Sequence, residues 1–127
     1  MGEMSEVEDK RALEETRLIH SKKIMCPSND AQLTKILQSI RTTKTSAVIN
    51  YGASWCRVCS EILPVFSQLS NEFQKLSFIY TDIDECPETT QNIRYTPTFH
   101  FYSGGEKVDE MLGTGEERLR DRLWLHS

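Results

Sequence analysis

Cys56 and Cys59 stand with two residues between them in the stretch S-W-C-R-V-C, residues 54–59. Such a pair can close as a disulfide, supply half of a tetrahedral zinc site, or lie inert in a core. Redox chemistry needs one thiol that ionises easily, because the thiolate, not the thiol, attacks a disulfide. What decides between these chemistries is where the flanking elements place the two sulfurs.

Upstream, S-A-V-I-N-Y (46–51) is a short β-rich run ending at Gly52, as a buried strand would. Downstream, Ile62, Phe66, Leu69 and Phe73 recur at helical spacing, so both cysteines are expected in the first turn of a long amphipathic helix. Pro64 lies inside that helix and is expected to kink it. A strand running straight into a helix puts unpaired N–H groups and the positive dipole end at the junction. A thiolate at Cys56, with Arg57 alongside, is stabilised there, which can move a thiol pKa from ~8.5 into the ~3.5 to 7.5 range. A thiol that ionises one pH unit lower gains about 1.4 kcal/mol of preference for the anion. Cys59, deeper in the helix, stays protonated longer. Cys56 is thus the candidate nucleophile and Cys59 the resolving thiol that breaks the mixed disulfide.

Tetrahedral zinc needs two further ligands, and neither Cys26, Cys86 nor His20, His100 and His126 forms a second close pair, so no metal is expected. Cys26 and Cys86 read as quiet core or surface thiols. The histidines have no triad-like context.

The rest of the chain reads as elements that support this junction. Residues 1–22 are dense in alternating charge, with Val7, Leu13, Leu18 and Ile19 as the candidate anchors, and read as a mobile or loosely docked helical tail. Ile24 to Cys26 reads as a first strand, followed by a helix with Ser28, Asn29 and Asp30 offering N-cap oxygens and Leu33, Ile36, Leu37 and Ile40 on one face. Residues 76–83 read as a strand, 87–93 as a short helix, and 98–102 with 107–112 as a hairpin around Ser103, Gly104 and Gly105. Thr114 and Glu117 suggest a capping box for a last helix burying Leu119 and Leu123. This order implies an α/β domain over 23–127, with a central mixed sheet and helices on both faces.

A chain of 127 residues suits one compact domain. With 38% apolar and 27% charged residues and a net charge of -4, it has no basic field for nucleic acid or anionic lipid. No apolar run approaches the ~18 residues of a membrane span. Four cysteines are too few for a disulfide-built fold and fit a reducing compartment. The cytoplasm is expected. A plastid is the alternative, although an organellar transit peptide would be poor in acids and Glu3, Glu6, Glu8, Asp9, Glu14 and Glu15 lie at the N-terminus.

W-C-x-x-C after a buried strand, Pro64 in the following helix, T-D-I-D at 81–84, I-R-Y-T-P-T-F at 93–99 and Gly113 before the last helix together resemble the thioredoxin fold. Within that family, Y-G-A-S-W-C-R-V-C followed by D-I-D-E-C-P-E-T-T most resembles the plant thioredoxin-like proteins of the type 3 group. The resemblance implies a monomeric thiol-disulfide oxidoreductase acting on protein disulfides, with thioredoxin reductase or glutathione as reductant. It implies that Pro97, after Thr96, is a cis-proline facing the cysteines, where a substrate backbone docks, and that Trp55 shields the pair. Arg57-Val58 replaces the usual Gly-Pro, so the added charge is expected to make the pair more oxidising. Asn50 stands where the family places a buried aspartate that helps deprotonate the resolving cysteine, and an amide cannot take that proton. Gly52 stands where many members carry a tryptophan. An alternative implied by relatives lacking the motif proline is an iron-sulfur cluster held with glutathione between two chains. A third is an interaction module with little redox activity.

Overall fold

The computed structural model describes residues 24–127, and the expected charged tail of residues 1–22 lies outside them. The order is β1 (Ile24–Met25), α1 (Asp30–Thr43), β2 (Ala47–Gly52), α2 (Arg57–Glu72), β3 (Ser77–Asp82), β4 (Thr98–Ser103), β5 (Glu106–Leu112) and α3 (Glu116–His126). The sheet order is β1-β3-β2-β4-β5. The first three are mutually parallel, while β4 runs antiparallel to both β2 and β5. This is the mixed sheet of the thioredoxin fold.

Strand β2 is central, and all six of its residues are buried because its two faces are both covered. Val48 joins Phe78, Phe99 and Phe101 under Ile62, Phe66 and Leu69 of α2 and Leu119 and Leu123 of α3. Ala47, Ile49 and Tyr51 point the other way, with Ile79, against Leu33 and Ile40 of α1. The period-2 alternation of one strand thus builds two cores. Phe66 anchors the first, its ring centroid 5.1 Å from that of Phe78 and 5.9 Å from that of Phe99.

Helix α1 is capped as its sequence suggests: the Asn29 side chain accepts the Gln32 N–H at 2.8 Å. Helix α2 runs through Pro64 without ending. Phe73, expected on its buried face, is its C-cap residue, and Cys26 falls just beyond β1. The β4–β5 hairpin turns at Gly104 and Gly105, both at positive φ. A Cβ at Gly105 would also come within 3.0 Å of the Arg41 carbonyl, so the hairpin tip packs on the end of α1.

Two expected features are not formed. Residues 87–93 are a run of turns rather than a helix. Asp30, 58 and 59 residues upstream, accepts the N–H groups of Glu88 and Thr89 at 3.3 and 2.7 Å, and the Thr90 hydroxyl donates to the Cys86 carbonyl at 2.7 Å. The Asp30 bonds tie the turn to the start of α1, and the adjacent Thr89 and Thr90 are themselves weak helix formers. The Thr114–Glu117 capping box is also absent: Gly115 is the N-cap residue of α3, with no side-chain cap bond. Its φ of 142° is open to glycine and lets the chain enter the helix one residue later than a threonine cap would.

Candidate active site around Cys56 and Cys59

Strand β2 ends at Gly52, and a tight turn closed by the Cys56 N–H on the Ala53 carbonyl (3.1 Å) starts the helix. Cys56 is the N-cap residue of α2 rather than part of its first turn, with extended backbone at φ -91° and ψ 113°. Its Sγ occupies the place of a capping oxygen and accepts the Cys59 N–H at 3.2 Å. The two cysteines are joined as a disulfide, with Cα atoms 5.2 Å apart. Cys56 retains 7% of its surface and Cys59 only 1%, enclosed with Ala53 and Ile83, so Cys56 is the outer sulfur.

The first turn of α2 contains no acidic residue, so nothing there opposes a thiolate at Cys56. The Arg57 side chain is 91% exposed and pairs with Glu61 at 3.6 Å. Its field at the sulfur is screened by solvent and shared with that carboxylate, which leaves the helix end as the larger stabilising influence.

Pro97 follows a cis peptide bond from Thr96, and the Thr96 carbonyl lies 3.7 Å from Cys56 Sγ. The end of β4 therefore faces the outer sulfur. Trp55 stands beside it with 66% of its surface exposed, held by its indole N–H on Asp84 Oδ2 at 2.7 Å. Val58, the residue before Cys59, and Tyr95, the residue before Thr96, are exposed as well. Sequence reasoning does not single out Asp84, Val58 or Tyr95 as site residues. The T-D-I-D motif carries a signal for Asp84, but its partner Trp55 lies 29 residues away.

Asn50 is fully buried on the α2 side of β2, and neither Oδ1 nor Nδ2 has a hydrogen-bond partner among the described residues. Gly52 is overlaid by the Tyr80 ring: a Cβ there would lie 3.0 Å from Tyr80 Cε1.

The other candidates are elsewhere. Burial, with Glu85 adding to it, pushes the half-buried Cys26 thiol up to about 11. Burial, then Asp30, Glu85 and Asp82, push Cys86 up to about 11. Both are therefore protonated thiols at neutral pH. His100 packs on Tyr51 and reaches Glu110, and His126 reaches Asp109, all away from the cysteines. Residue 20 lies outside the described residues. Among the described residues no three His, Cys, Asp or Glu side chains gather as a metal site. An iron-sulfur cluster would have to draw on Cys56 and on ligands from outside the chain.

Residues 27–124 match the family Thioredoxin. Thioredoxin-like 3-3 of Oryza sativa subsp. japonica is 76% identical over 99 residues, 78% of this chain and 77% of that protein. The Arabidopsis thaliana protein of the same name is 69% identical over 99 residues, 78% of this chain and 79% of that one. The crystal structure of thioredoxin O2 from Arabidopsis thaliana in the oxidized state superposes with a TM-score of 0.76 at 26% identity, covering 86% of this chain and 99% of that chain.

Proposed function

The chain belongs to the thioredoxin family and carries its CxxC pair, that of a thiol-disulfide oxidoreductase, and from this premise we propose that it reduces or exchanges disulfides of other proteins. Cys56 is the attacking residue and Cys59 the releasing one. The observation that carries this is the asymmetry of the pair: Cys56 Sγ is the outer sulfur, at the helix N-cap, taking the Cys59 N–H at 3.2 Å.

In the reduced protein, the Cys56 thiolate attacks one sulfur of a target disulfide. A Cys56–target bond forms, the target S–S bond breaks, and the second target sulfur leaves as a thiolate that takes a proton. Cys59, once deprotonated, attacks Cys56 Sγ. The Cys56–Cys59 bond re-forms and the first target sulfur leaves with the electron pair. The Thr96 carbonyl offers a backbone acceptor beside Cys56, and Trp55, Val58 and Tyr95 supply apolar contact for the target chain. Thioredoxin reductase or glutathione then returns the pair to the dithiol.

Replacing Cys59 by serine tests this reading. Cys59→Ser should accumulate mixed disulfides through Cys56 when offered a reducible protein such as insulin, and a further Cys56→Ser change should abolish them. A Cys59→Ser protein that forms none would overturn the reading in favour of a binding module.

A further inference from the structure

We propose that the cavity beside the Thr96–Pro97 turn is a subsite for an acidic side chain of the target protein, two or three residues from its reactive cysteine, with Arg94 as the residue that selects it. This assignment rests on the thiol-disulfide reading above and goes beyond it by naming a class of target.

The sheet supplies the floor. Thr98 pairs with Tyr51 on β2 and Leu112 on β5, and His100 with Ile49 and Glu110. Residues opposite one another share a face, and the Tyr51 and His100 rings touch with centroids 4.9 Å apart, so these rows lie on the α1 side. Helix α1 packs on Ile49 and Tyr51 of that face. Over β4 and β5 the cover is residues 92–95, which form neither helix nor strand and leave a cavity of about 350 Å³ against Thr98, His100 and Leu112. The Thr98 hydroxyl donates to the Tyr95 carbonyl and fixes this segment to the sheet. The cavity is thus joined to the reactive pair: Tyr95 lines it, and the carbonyl of the next residue, Thr96, lies 3.7 Å from Cys56 Sγ.

The charge of the cavity does not cancel. Glu110 accepts from Lys107 at 2.8 Å and has His100 Nε2 at 3.3 Å, so its carboxylate and the Lys107 ammonium satisfy each other. His100 brings no charge near neutrality, since burial first and then Lys107 hold it down to about 4. Arg94 remains. Arg57, Arg120 and Arg122 each lie against a carboxylate, whereas the exposed Arg94 makes no ion pair among the described residues. Arg94 and Lys107 against Glu110 leave one positive charge, on a chain whose net charge is -4. A carboxylate is therefore the group this cavity takes, and a guanidinium can hold it through two parallel hydrogen bonds. Ile93 and the half-exposed Tyr95 and Leu112 offer apolar wall to its methylene stem.

Chain length sets where the acid must stand. A target that brings its cysteine to Cys56 runs beside Thr96, and Arg94 is two residues before Thr96, at most about 7 Å of chain. An extended target advances about 3.3 Å per residue. Its first residue beyond the cysteine lies by Tyr95, and the second and third lie at the mouth of the cavity. Arg94 touches the target and not the reacting sulfurs. It changes which disulfides dock and leaves the exchange at Cys56 as described.

Synthetic peptides carrying one cysteine as its mixed disulfide with 5-thio-2-nitrobenzoate read this preference. In the full-length Cys59→Ser chain, the Cys56 thiolate attacks the peptide sulfur, a Cys56–peptide bond forms, and the aromatic sulfur, the better leaving group, departs as a coloured thiolate. Peptides with Glu, Gln or Lys two or three residues from the cysteine, on either side, are compared at about 0.15 M salt, where fields from beyond about 8 Å are screened. Below saturation the Glu peptide should react about three- to fivefold faster than the Gln peptide, the size of one accessible ion pair, and the Lys peptide slowest. At saturation the rates should converge, because the acid acts on docking. Arg94→Gln should erase the Glu-over-Gln preference. Lys75→Gln, which removes an equal charge from an exposed position outside the cavity, should keep it. Equal rates with all three peptides, a preference for Lys, or the same effect of Arg94→Gln and Lys75→Gln would overturn the proposal. Absence of coloured thiolate with every peptide would instead sink the thiol-disulfide reading.

Discussion

Trp55 donates its indole N–H to Asp84 Oδ2 across 2.7 Å, tying the residue beside the outer sulfur to the turn that follows β3. The ring is otherwise 66% exposed, so this bond is what holds it in one orientation next to Cys56. An exposed hydrogen bond of this kind is worth about 1 kcal/mol, or roughly a fivefold change in an equilibrium. Asp84→Ala should therefore raise KM for a protein disulfide about three- to tenfold while changing the rate with a small aromatic disulfide less than twofold. Equal loss with both substrates would show that Trp55 orientation serves the chemistry rather than docking.

The place of Cys56 at the N-cap of α2 sets its ionisation in the reduced protein. Its rate of alkylation by iodoacetamide, followed against pH, should show a midpoint clearly below the ~8.5 of a free cysteine. Arg57→Ala should move that midpoint by about 0.3 pH unit or less, since the guanidinium is exposed and paired with Glu61. A midpoint displaced by a full pH unit would assign the thiolate to the side chain instead of the helix end.

His100 makes stability depend on pH. Burial, with Lys107 adding to it and Glu110 opposing, holds its imidazole down to about 4, against an ordinary value near 6.5. The unfolded chain binds the extra proton first, so this contribution is complete above about pH 6.5 and is lost as pH falls toward 4. The side chain is only 15% exposed, and the loss by pH 4 is on the order of 3 kcal/mol. Urea unfolding at a series of pH values should show this slope, and His100→Phe should flatten it.

The buried amide of Asn50 has a stability cost. An unpartnered buried polar group costs about 1–3 kcal/mol, and leucine has the same branched heavy-atom skeleton without the polar atoms. Asn50→Leu should raise the unfolding free energy by about 1 kcal/mol or more. A destabilised Asn50→Leu protein would mean that the amide is held by solvent within the fold.

Much of this architecture is legible in the order of residues. The apolar run of β2, the helical spacing of Ile62, Phe66 and Leu69, and the paired glycines of the hairpin each specify a local element through periodicity or backbone freedom. The same patterns set Cys56 and Cys59 at a strand-to-helix junction, and with it the reactive chemistry of the pair. Residues 87–93 do not form the expected helix: the adjacent Thr89 and Thr90 are weak helix formers, and their hydroxyls bond the distant Asp30 and the Cys86 carbonyl. Likewise Gly115, at a φ only glycine adopts readily, moves the start of α3 past Thr114.

What only the tertiary structure decided is which distant groups meet at the site. Asp84 holds Trp55, the Thr96 carbonyl reaches Cys56, and Tyr80 fills the space that Gly52 leaves open. Periodicity is a property of neighbours along the chain. Strand register and the packing of α2 over the sheet bring together residues 28 to 40 positions apart, and no local pattern encodes such meetings.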